Sequence, residues 1–143
     1  MTEEQHKADD YELVAATPSS SDYRRLRVAA GLSPKSAEAA AAGLPNTVFA
    51  VMIRKEGEVV GMGRIIGDRG LFFQIVDIAV DPNHQKRGLG KRIVAALVDH
   101  LRQTAPSGAY ITLIADGEAH RLYSLYGFEP TAPKSIGMSF SIE

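Results

Sequence analysis

The sequence predicts a mixed α/β fold in which a largely antiparallel central sheet is flanked by helices. Three strand-like segments follow one another over residues 47–80 with only short turns between them, which is typical of an antiparallel meander. The period of the apolar residues then changes after Gly88, where Leu89, Ile93 and Leu97 recur at every fourth position. Such spacing places the apolar side chains on one face of a helix, so helical and extended segments both occur in the second half of the chain.

One strand and two helices are predicted before the meander. Residues 11–16 have the character of a short strand, and the serines at 19–21 are suitable N-caps for a helix that ends at Gly31. Ser33 followed by Pro34 has the order of a cap and a first helical residue. The alanine-rich run at 35–42 is therefore predicted as a second helix, which Gly43 and Pro45 end.

The remaining elements follow from the same signals. The meander is expected to consist of strands at 47–54, 59–66 and 71–80, and the helix after Gly88 is expected to end before Pro106. A strand at 110–115 and a helix at 118–126, stopped by Gly127, come next. Phe128 and residues 136–142 are expected to close the sheet.

Length and composition limit the kinds of protein this chain can be. With 143 residues, 45% of them hydrophobic, residues 11–143 are predicted to form a single domain behind a flexible tail at 1–10. The absence of cysteine excludes disulfides, thiolate metal sites and a cysteine nucleophile. A net charge of -1 argues against nucleic acid or an anionic membrane as partner, and we expect a soluble, cytoplasmic protein.

The segment at 81–92 carries the strongest functional signal. Asp81 and Pro82 end a strand, and a basic loop with two glycines, Gly88 and Gly90, then leads directly into a helix. Unpaired N–H groups at a helix start attract phosphate, and glycine lets an anion approach the backbone closely. Four basic residues surround this point: Lys86, Arg87, Lys91 and Arg92. The pattern favours phosphate binding over the alternative of a solvated basic surface.

Two other phosphate-binding motifs do not fit this loop. A Walker loop needs Ser or Thr after its Gly-Lys pair, whereas Gly90-Lys91 is followed by Arg92. A dinucleotide-binding fingerprint needs a third glycine where this chain has Ile93.

The loop Gln85-Lys86-Arg87-Gly88-Leu89-Gly90 resembles the acyl-CoA pyrophosphate loop of the GNAT superfamily of N-acetyltransferases, Gln/Arg-x-x-Gly-x-Gly/Ala. The preceding residues 78–82 are similar to that family's central strand and its exit. Residues 119–128 are similar to its Ala-x-x-x-Tyr-x-x-x-Gly-Phe signature. With the order of elements, the resemblance extends over residues 11–142.

The resemblance implies a GNAT-like fold and acetyl-CoA as cosubstrate, with no metal. Backbone groups of Ile78, Ala79 and Val80 would pair with the pantetheine arm, and main-chain amides of the loop would hold the pyrophosphate. The implied cofactor-binding residues are Ile78, Ala79, Val80, Gln85, Lys86, Arg87, Gly88, Leu89, Gly90 and Lys91. Asp116 stands where the family often has Asn, so a cofactor contact there is not expected.

Asp77 is the predicted catalytic base. An alkylammonium acceptor with a pKa of about 10 must lose a proton, which costs about 4 kcal/mol at pH 7. Asp77 interrupts an apolar strand, where an unpaired charge would be costly. If the turn is centred on Arg69, Gly61 lies opposite Asp77 and leaves space there. The alternative is a structural carboxylate paired with a basic neighbour.

The resemblance implies that Tyr123 is the general acid near the departing sulfur, whereas from the residues alone an ordinary aromatic at the core edge is the favoured interpretation. A backbone N–H near Ile78 or Ala79 is expected to stabilise the developing oxyanion. His84 and His120 are interpreted as surface residues, and Gly61 and Gly63 as sites of close strand packing.

The predicted function is acetyl transfer from acetyl-CoA to a primary amine of a small molecule in a ternary complex. The alternatives are a protein or peptide amine as acceptor, and a non-catalytic acetyl-CoA-binding sensor. Four residues are candidates for the acceptor pocket, although a structural role is the favoured interpretation for them: Tyr11, Tyr23, Arg24 and Arg27. The sequence leaves the oligomeric state open, with a homodimer as one alternative because dimers are common among GNAT proteins.

Overall fold

The computed structural model describes residues 10–143. Of the tail predicted at 1–10, all but Asp10 lies outside the described residues. The described residues divide into two compact units, the first ending at Leu113 and the second spanning Ile114–Glu143. Within the described range, no helix is long and apolar enough to cross a membrane.

The first unit contains a five-stranded sheet, which confirms the predicted mixed, largely antiparallel architecture. The strands, in spatial and chain order alike, are β1 (Glu12–Val14), β2 (Phe49–Lys55), β3 (Glu58–Gly67), β4 (Phe72–Val80) and β5 (Tyr110–Thr112). Neighbouring strands are antiparallel from β1 to β4, and β5 pairs with β4 in parallel. The meander expected at 47–80 is therefore present.

Three helices accompany this sheet: α1 (Ser20–Ala29), α2 (Ala37–Gly43) and α3 (Leu89–Thr104). Ser19 caps α1 by accepting the Asp22 N–H at 3.1 Å, as expected. The start of α2 was predicted wrongly, because Ser36 and not Ser33 is its N-cap. Ser33 instead accepts two hydrogen bonds from the Arg27 guanidinium, at 2.8 and 3.0 Å.

The helix α3 packs directly on the backbone of β3. Ile93 and Leu97 are fully buried on its apolar face. A Cβ atom placed on Gly63 would lie 2.6 Å from Ile93 Cγ2, and one on Gly61 would lie 3.2 Å from Ile93 Cδ1. The interpretation of both glycines as sites of close packing is confirmed, because any side chain there would push the helix off the sheet.

The predicted register of β3 and β4 is wrong. Gly61 lies opposite Val80 and not Asp77, and the pairing of Gly67 with Phe73 centres the turn on Gly70. This turn is held by Asp68 Oδ1, which accepts the backbone N–H groups of residues 70–72 at 2.8–3.1 Å. These bonds, those from Phe72 and Gly70 above all, lower the pKa of the exposed Asp68 carboxyl.

The second unit contains one short helix, α4 (His120–Ser124), which is shorter than the segment predicted at 118–126. Gly127 follows with φ +94°, in agreement with its predicted role as a stop. No strand is present among residues 114–143, so the expectation that Phe128 and residues 136–142 close the sheet is wrong. Periodicity alone does not make a strand, because the backbone also needs a hydrogen-bonded neighbour.

Candidate functional site

A β-bulge interrupts β4 at Asp77. Met62 pairs with Ala79 and Arg64 pairs with Val76, so Asp77 and Ile78 together face the single residue Gly63. Asp77 has φ +61°, a left-handed conformation that aspartate tolerates better than most side chains. A bulge of this kind takes the extra residue out of the ladder and bends the strand. Residues 77–78 lie towards the carboxyl end of β4, beyond residues 72–74, where this strand pairs with β5.

A cavity of about 300 Å³ begins at this bulge and extends to the start of α3. We call it the strand–loop cavity, and its walls are Ala30, Leu32, Ile78, Ala79, Val80, His84, Gln85, Leu89 and Gly90. Six of the predicted cofactor-binding residues are therefore brought together: Ile78, Ala79, Val80, Gln85, Leu89 and Gly90. The other four, Lys86, Arg87, Gly88 and Lys91, lie in the same loop and first helical turn but not among these walls.

The amino end of α3 has the features of an anion site. Gly88 is its N-cap with φ +77°, and no side chain caps the helix. The Arg92 N–H donates to the Gly88 carbonyl at 3.1 Å, so the amides of Leu89 and Gly90 precede this intrahelical bond. A Cβ atom on Gly88 would meet nothing within 4 Å, which shows open space beside the backbone. The helix dipole adds partial positive charge at this point.

The loop before α3 is held in place by local hydrogen bonds. The Gln85 side-chain amide donates to the Val80 carbonyl at 3.2 Å, and Asp81 Oδ1 accepts the Asn83 N–H at 2.9 Å. Lys86 and Arg87 are exposed. Arg92 instead donates to the Tyr11 carbonyl at 3.1 Å, so one of the four basic side chains connects the helix to the start of β1.

The Asp77 carboxylate is buried between two guanidinium groups. Its Oδ1 accepts from Arg27 Nη1 at 2.6 Å, and its Oδ2 accepts from Arg64 Nη1 at 2.7 Å. The side chain of Asp77 is 6% exposed, that of Arg27 10% and that of Arg64 8%. Tyr23 Oη also donates to Oδ1, at 2.9 Å. The paired carboxylate that the sequence left open as an alternative is thus present, and the role of Asp77 as base stays a prediction.

Both arginines are fixed by further bonds. Arg27 is bound to Ser33 as described above, and Arg64 Nε donates to Thr47 Oγ1 at 2.9 Å. The sequence interpretation overlooked Arg64, although a charged residue in the otherwise apolar run at 59–66 is itself a signal of a buried partner. The contacts connect α1, the segment before β2, β3 and the bulge into one polar cluster.

Tyr23 is buried beside this cluster, and burial raises the pKa of its phenol. The negative charge of Asp77 raises the pKa further, while Arg27 and Arg64 act in the opposite direction. Tyr23 is therefore a neutral hydrogen-bond donor at neutral pH. This gives a structural role to one of the four residues that the sequence weighed for the acceptor pocket.

His84 is half-buried and not the surface residue that we expected. Its Nδ1 lies 2.8 Å from Tyr11 Oη, and the two rings meet edge to face. Tyr11 is buried, and Lys55 Nζ lies 4.5 Å from the centre of its ring. Tyr11 thus fixes the position of His84 in the wall of the strand–loop cavity. The sequence did not indicate this role of His84.

Tyr123 belongs to the second unit, where it is buried in α4 and its ring meets Phe128 edge to face. Burial raises the pKa of the phenol, and the nearby negative charge of Asp116 raises it further. Tyr123 therefore holds its proton more firmly than a free phenol does. His120, in the same helix, is exposed as expected.

The comparisons with known proteins agree on one family. The model of the acetyltransferase (GNAT) family matches residues 14–128. A crystal structure of a probable acetyltransferase from Staphylococcus aureus superposes with a TM-score of 0.88 at 41% identity, over 92% of this chain and 99% of that one.

Curated plant proteins match over a shorter part of the chain. A chloroplastic GCN5-related N-acetyltransferase 2 of Arabidopsis thaliana is 37% identical over 85 residues, which are 59% of this chain and 32% of the relative. A histone acetyltransferase of Glycine max is 35% identical over 84 residues, 59% of this chain and 36% of the relative. The matched region thus spans about a third of the length of these relatives.

Proposed function

Because the chain belongs to the acetyltransferase (GNAT) family, we propose that it transfers an acetyl group from acetyl-CoA to a primary amine of a small molecule. The observation that carries the proposal is the strand–loop cavity, which joins the β4 bulge to the uncapped start of α3. One end of this cavity suits an extended chain that pairs with a strand, and the other end suits a diphosphate.

The walls of the cavity and the loop beside it both support the choice of this ligand. Main-chain amides from Lys86 to Lys91 would bind the diphosphate, since the open backbone at Gly88 admits an anion. Backbone groups of Ile78, Ala79 and Val80 would pair with the pantetheine arm as an added strand. Apolar walls, among them Ala30 and Leu32, would cover that arm and exclude water from it.

When bound, acetyl-CoA supplies a thioester whose carbonyl carbon is attacked by the amine nitrogen, and the coenzyme A thiolate leaves. The bulge supports this step because a backbone N–H at Ile78 or Ala79, preorganised at the strand end, would donate to the developing oxyanion. A fixed donor of this kind loses little free energy to reorganisation during the reaction.

Tyr123 would donate a hydrogen bond to the departing sulfur. A free phenol has a pKa of about 10 and a thiol one of about 8.5, so complete proton transfer to the thiolate is uphill. The raised pKa of Tyr123 increases this difference. We therefore assign Tyr123 to hydrogen-bond stabilisation of the thiolate, with the final proton coming from the ammonium product or from water.

For Asp77, the contacts support a positioning role. Three donors surround its two oxygens: Tyr23 Oη and Arg27 Nη1 on Oδ1, and Arg64 Nη1 on Oδ2. A proton arriving from the amine would have to compete with these hydrogen bonds for the same oxygens. Removal of the amine proton through water, with Asp77 as the base, is the alternative. The two roles differ in the pH profile of kcat in an Asp77→Asn variant.

A thiol-release assay tests the proposal. The full chain is incubated with acetyl-CoA and a panel of small amines and lysine peptides, and free coenzyme A is measured. Release that depends on a small amine supports the proposal. Release with peptides alone would favour a protein acceptor, the class named for the Glycine max relative. Thermal stabilisation by acetyl-CoA without release would favour the sensor.

Two further properties stay predictions. We propose a cytoplasmic location and a homodimer, and light scattering of the purified chain tests the homodimer. A mass corresponding to one chain at all concentrations would contradict the dimer.

A further inference from the structure

We infer that the small-molecule acceptor carries an anionic group, a carboxylate or a phosphate, which binds in a second cavity against Arg64 and Lys35. This inference rests on the proposed function, since it specifies the substrate class of the proposed transfer.

The second cavity lies between α1, α2 and β3. Its volume is about 220 Å³, and its walls are Tyr23, Lys35, Ala39, Ala40, Gly43, Leu44 and Arg64. We call it the Arg64 cavity. This volume is below the roughly 300–1,000 Å³ of sites that enclose whole drug-sized ligands, so it suits one substituent of a small acceptor.

The Arg64 cavity adjoins the proposed reaction centre through Asp77. Arg64 and Tyr23, which line the cavity, both donate to the Asp77 carboxylate. The next residue along β4, Ile78, is a wall of the strand–loop cavity. Both cavities therefore adjoin the bulge. An acceptor anchored in the second cavity would extend its amine towards the first.

The charges around the Arg64 cavity are unbalanced. Two nearly buried guanidinium groups share one carboxylate, and among the described residues Asp77 is the only acid in ion-pair contact with either of them. Lys35 adds a second positive charge to the cavity wall. Buried charge is costly without compensation, so this excess favours an anion from solution.

The donors of Arg64 suit such an anion. Its guanidinium has five N–H groups and bonds to Thr47 and Asp77 at 2.9 and 2.7 Å. Among the described residues, its Nη2 forms a hydrogen bond only with the Gly43 carbonyl, and the distance of 3.5 Å is long for an N–H···O bond. A carboxylate or phosphate oxygen would take the place of this weak contact and form a charge-assisted bond.

Matched pairs of amines test the inference. β-Alanine is compared with β-alaninamide, and phosphoethanolamine with ethanolamine, so that each pair differs in its anionic group. Binding is measured by calorimetry in the presence of coenzyme A, which requires no turnover, and kcat/KM is measured by thiol release. A charge-assisted bond predicts about 10- to 100-fold preference for an anionic member, and the two pairs separate carboxylate from phosphate.

Variants test which residues cause the preference for an anionic acceptor. Lys35 is exposed, so Lys35→Gln should fold normally and reduce the anionic preference several-fold. Lys134→Gln removes one positive charge at another exposed position and should leave the preference unchanged. Arg64→Lys keeps the charge and loses the planar fork, and it should reduce the preference further.

The outcomes separate this inference from the proposed function. Thiol release with neutral amines at equal or higher kcat/KM would overturn the inference and leave the function intact. Anion-dependent binding without any thiol release would support the Arg64 cavity and contradict the function. A preference that persists unchanged in both Lys35→Gln and Arg64→Lys would also overturn the inference.

Discussion

The Asp77 carboxylate and the Arg64 guanidinium lie 2.7 Å apart across the β3–β4 pair, where β4 forms its bulge. Asp77 can face Arg64 and Arg27 together because it stands outside the regular register with φ +61°. The ion pairs thus stabilise a strained backbone conformation, and the bulge in turn shapes the strand–loop cavity. Stability and the proposed chemistry depend on the same carboxylate.

The Asp77→Asn variant should be strongly destabilised. The substitution keeps the shape and tolerates the left-handed backbone, but it leaves two buried guanidinium groups without their anion. We expect a loss of about 3–5 kcal/mol in the free energy of unfolding, measured by urea denaturation. The control Asp99→Asn, at an exposed position of α3, should change stability by less than about 0.5 kcal/mol.

Kinetics of the same variant distinguish the roles of Asp77. A positioning residue predicts that the folded fraction of Asp77→Asn keeps the pH profile of kcat. A base predicts a loss of about 10²- to 10⁴-fold in kcat and a profile shifted to the pKa of the amine itself. Unchanged stability with such a loss would contradict the positioning role.

Gly88→Ala should weaken acetyl-CoA binding by at least about tenfold, because the added methyl group occupies the open space beside the anion-binding amides. Calorimetry measures the Kd. Gly57→Ala is the matched control: Gly57, in the turn between β2 and β3, has φ +80° and equally open surroundings. Both variants bear similar backbone strain, so equal affinity in the two would show that the loop does not hold the diphosphate.

Tyr123→Phe should lower kcat about 10- to 100-fold and change KM for acetyl-CoA little, as expected for a hydrogen bond made mainly to the leaving thiolate. Steady-state thiol release gives both constants. Tyr110→Phe serves as the control, because the Tyr110 ring in β5 is half-exposed, and this variant should behave as wild type. Wild-type turnover in Tyr123→Phe would return this residue to a purely structural role.

Tyr23 should make the free energy of unfolding depend on pH in the alkaline range. Its folded-state pKa is raised, so its contribution is fully present below the unfolded pKa of about 10 and is lost as pH rises through the folded value. Tyr23→Phe should be less stable by about 1–3 kcal/mol at pH 7, since it lacks the bond to Asp77. Urea unfolding at pH 7, 9 and 11 should show the difference from wild type shrinking above pH 10. A constant difference would contradict the assignment.

Local signals in the sequence were sufficient for most of the fold. The apolar period of Leu89, Ile93 and Leu97 predicts α3, and Gly88 predicts its start. The meander was also predicted, because strand alternation and turn residues act over a few neighbouring positions. The start of α2 was wrong because the same residue type can serve two roles. Ser33 resembles a helix cap in the sequence, but its oxygens accept hydrogen bonds from Arg27.

Part of the candidate site could be predicted from the sequence. The glycines and basic residues at 85–92 predict phosphate binding, and Asp77 was predicted as a site residue because it is a charge in an apolar strand. The partners of Asp77 could not be predicted from the sequence, since Arg27 and Arg64 are 50 and 13 residues away along the chain. His84 was missed for the same reason, because its partner Tyr11 is 73 residues away.

By itself, the sequence determined the periodic elements, the family resemblance and the phosphate-binding character of the loop before α3, because each depends on residues close together in the chain. Only the tertiary structure decided the register of β3 and β4, the bulge at Asp77 and the excess of positive charge beside it. These features arise when distant segments pack and buried charges must find partners, and no local pattern records which partner they find.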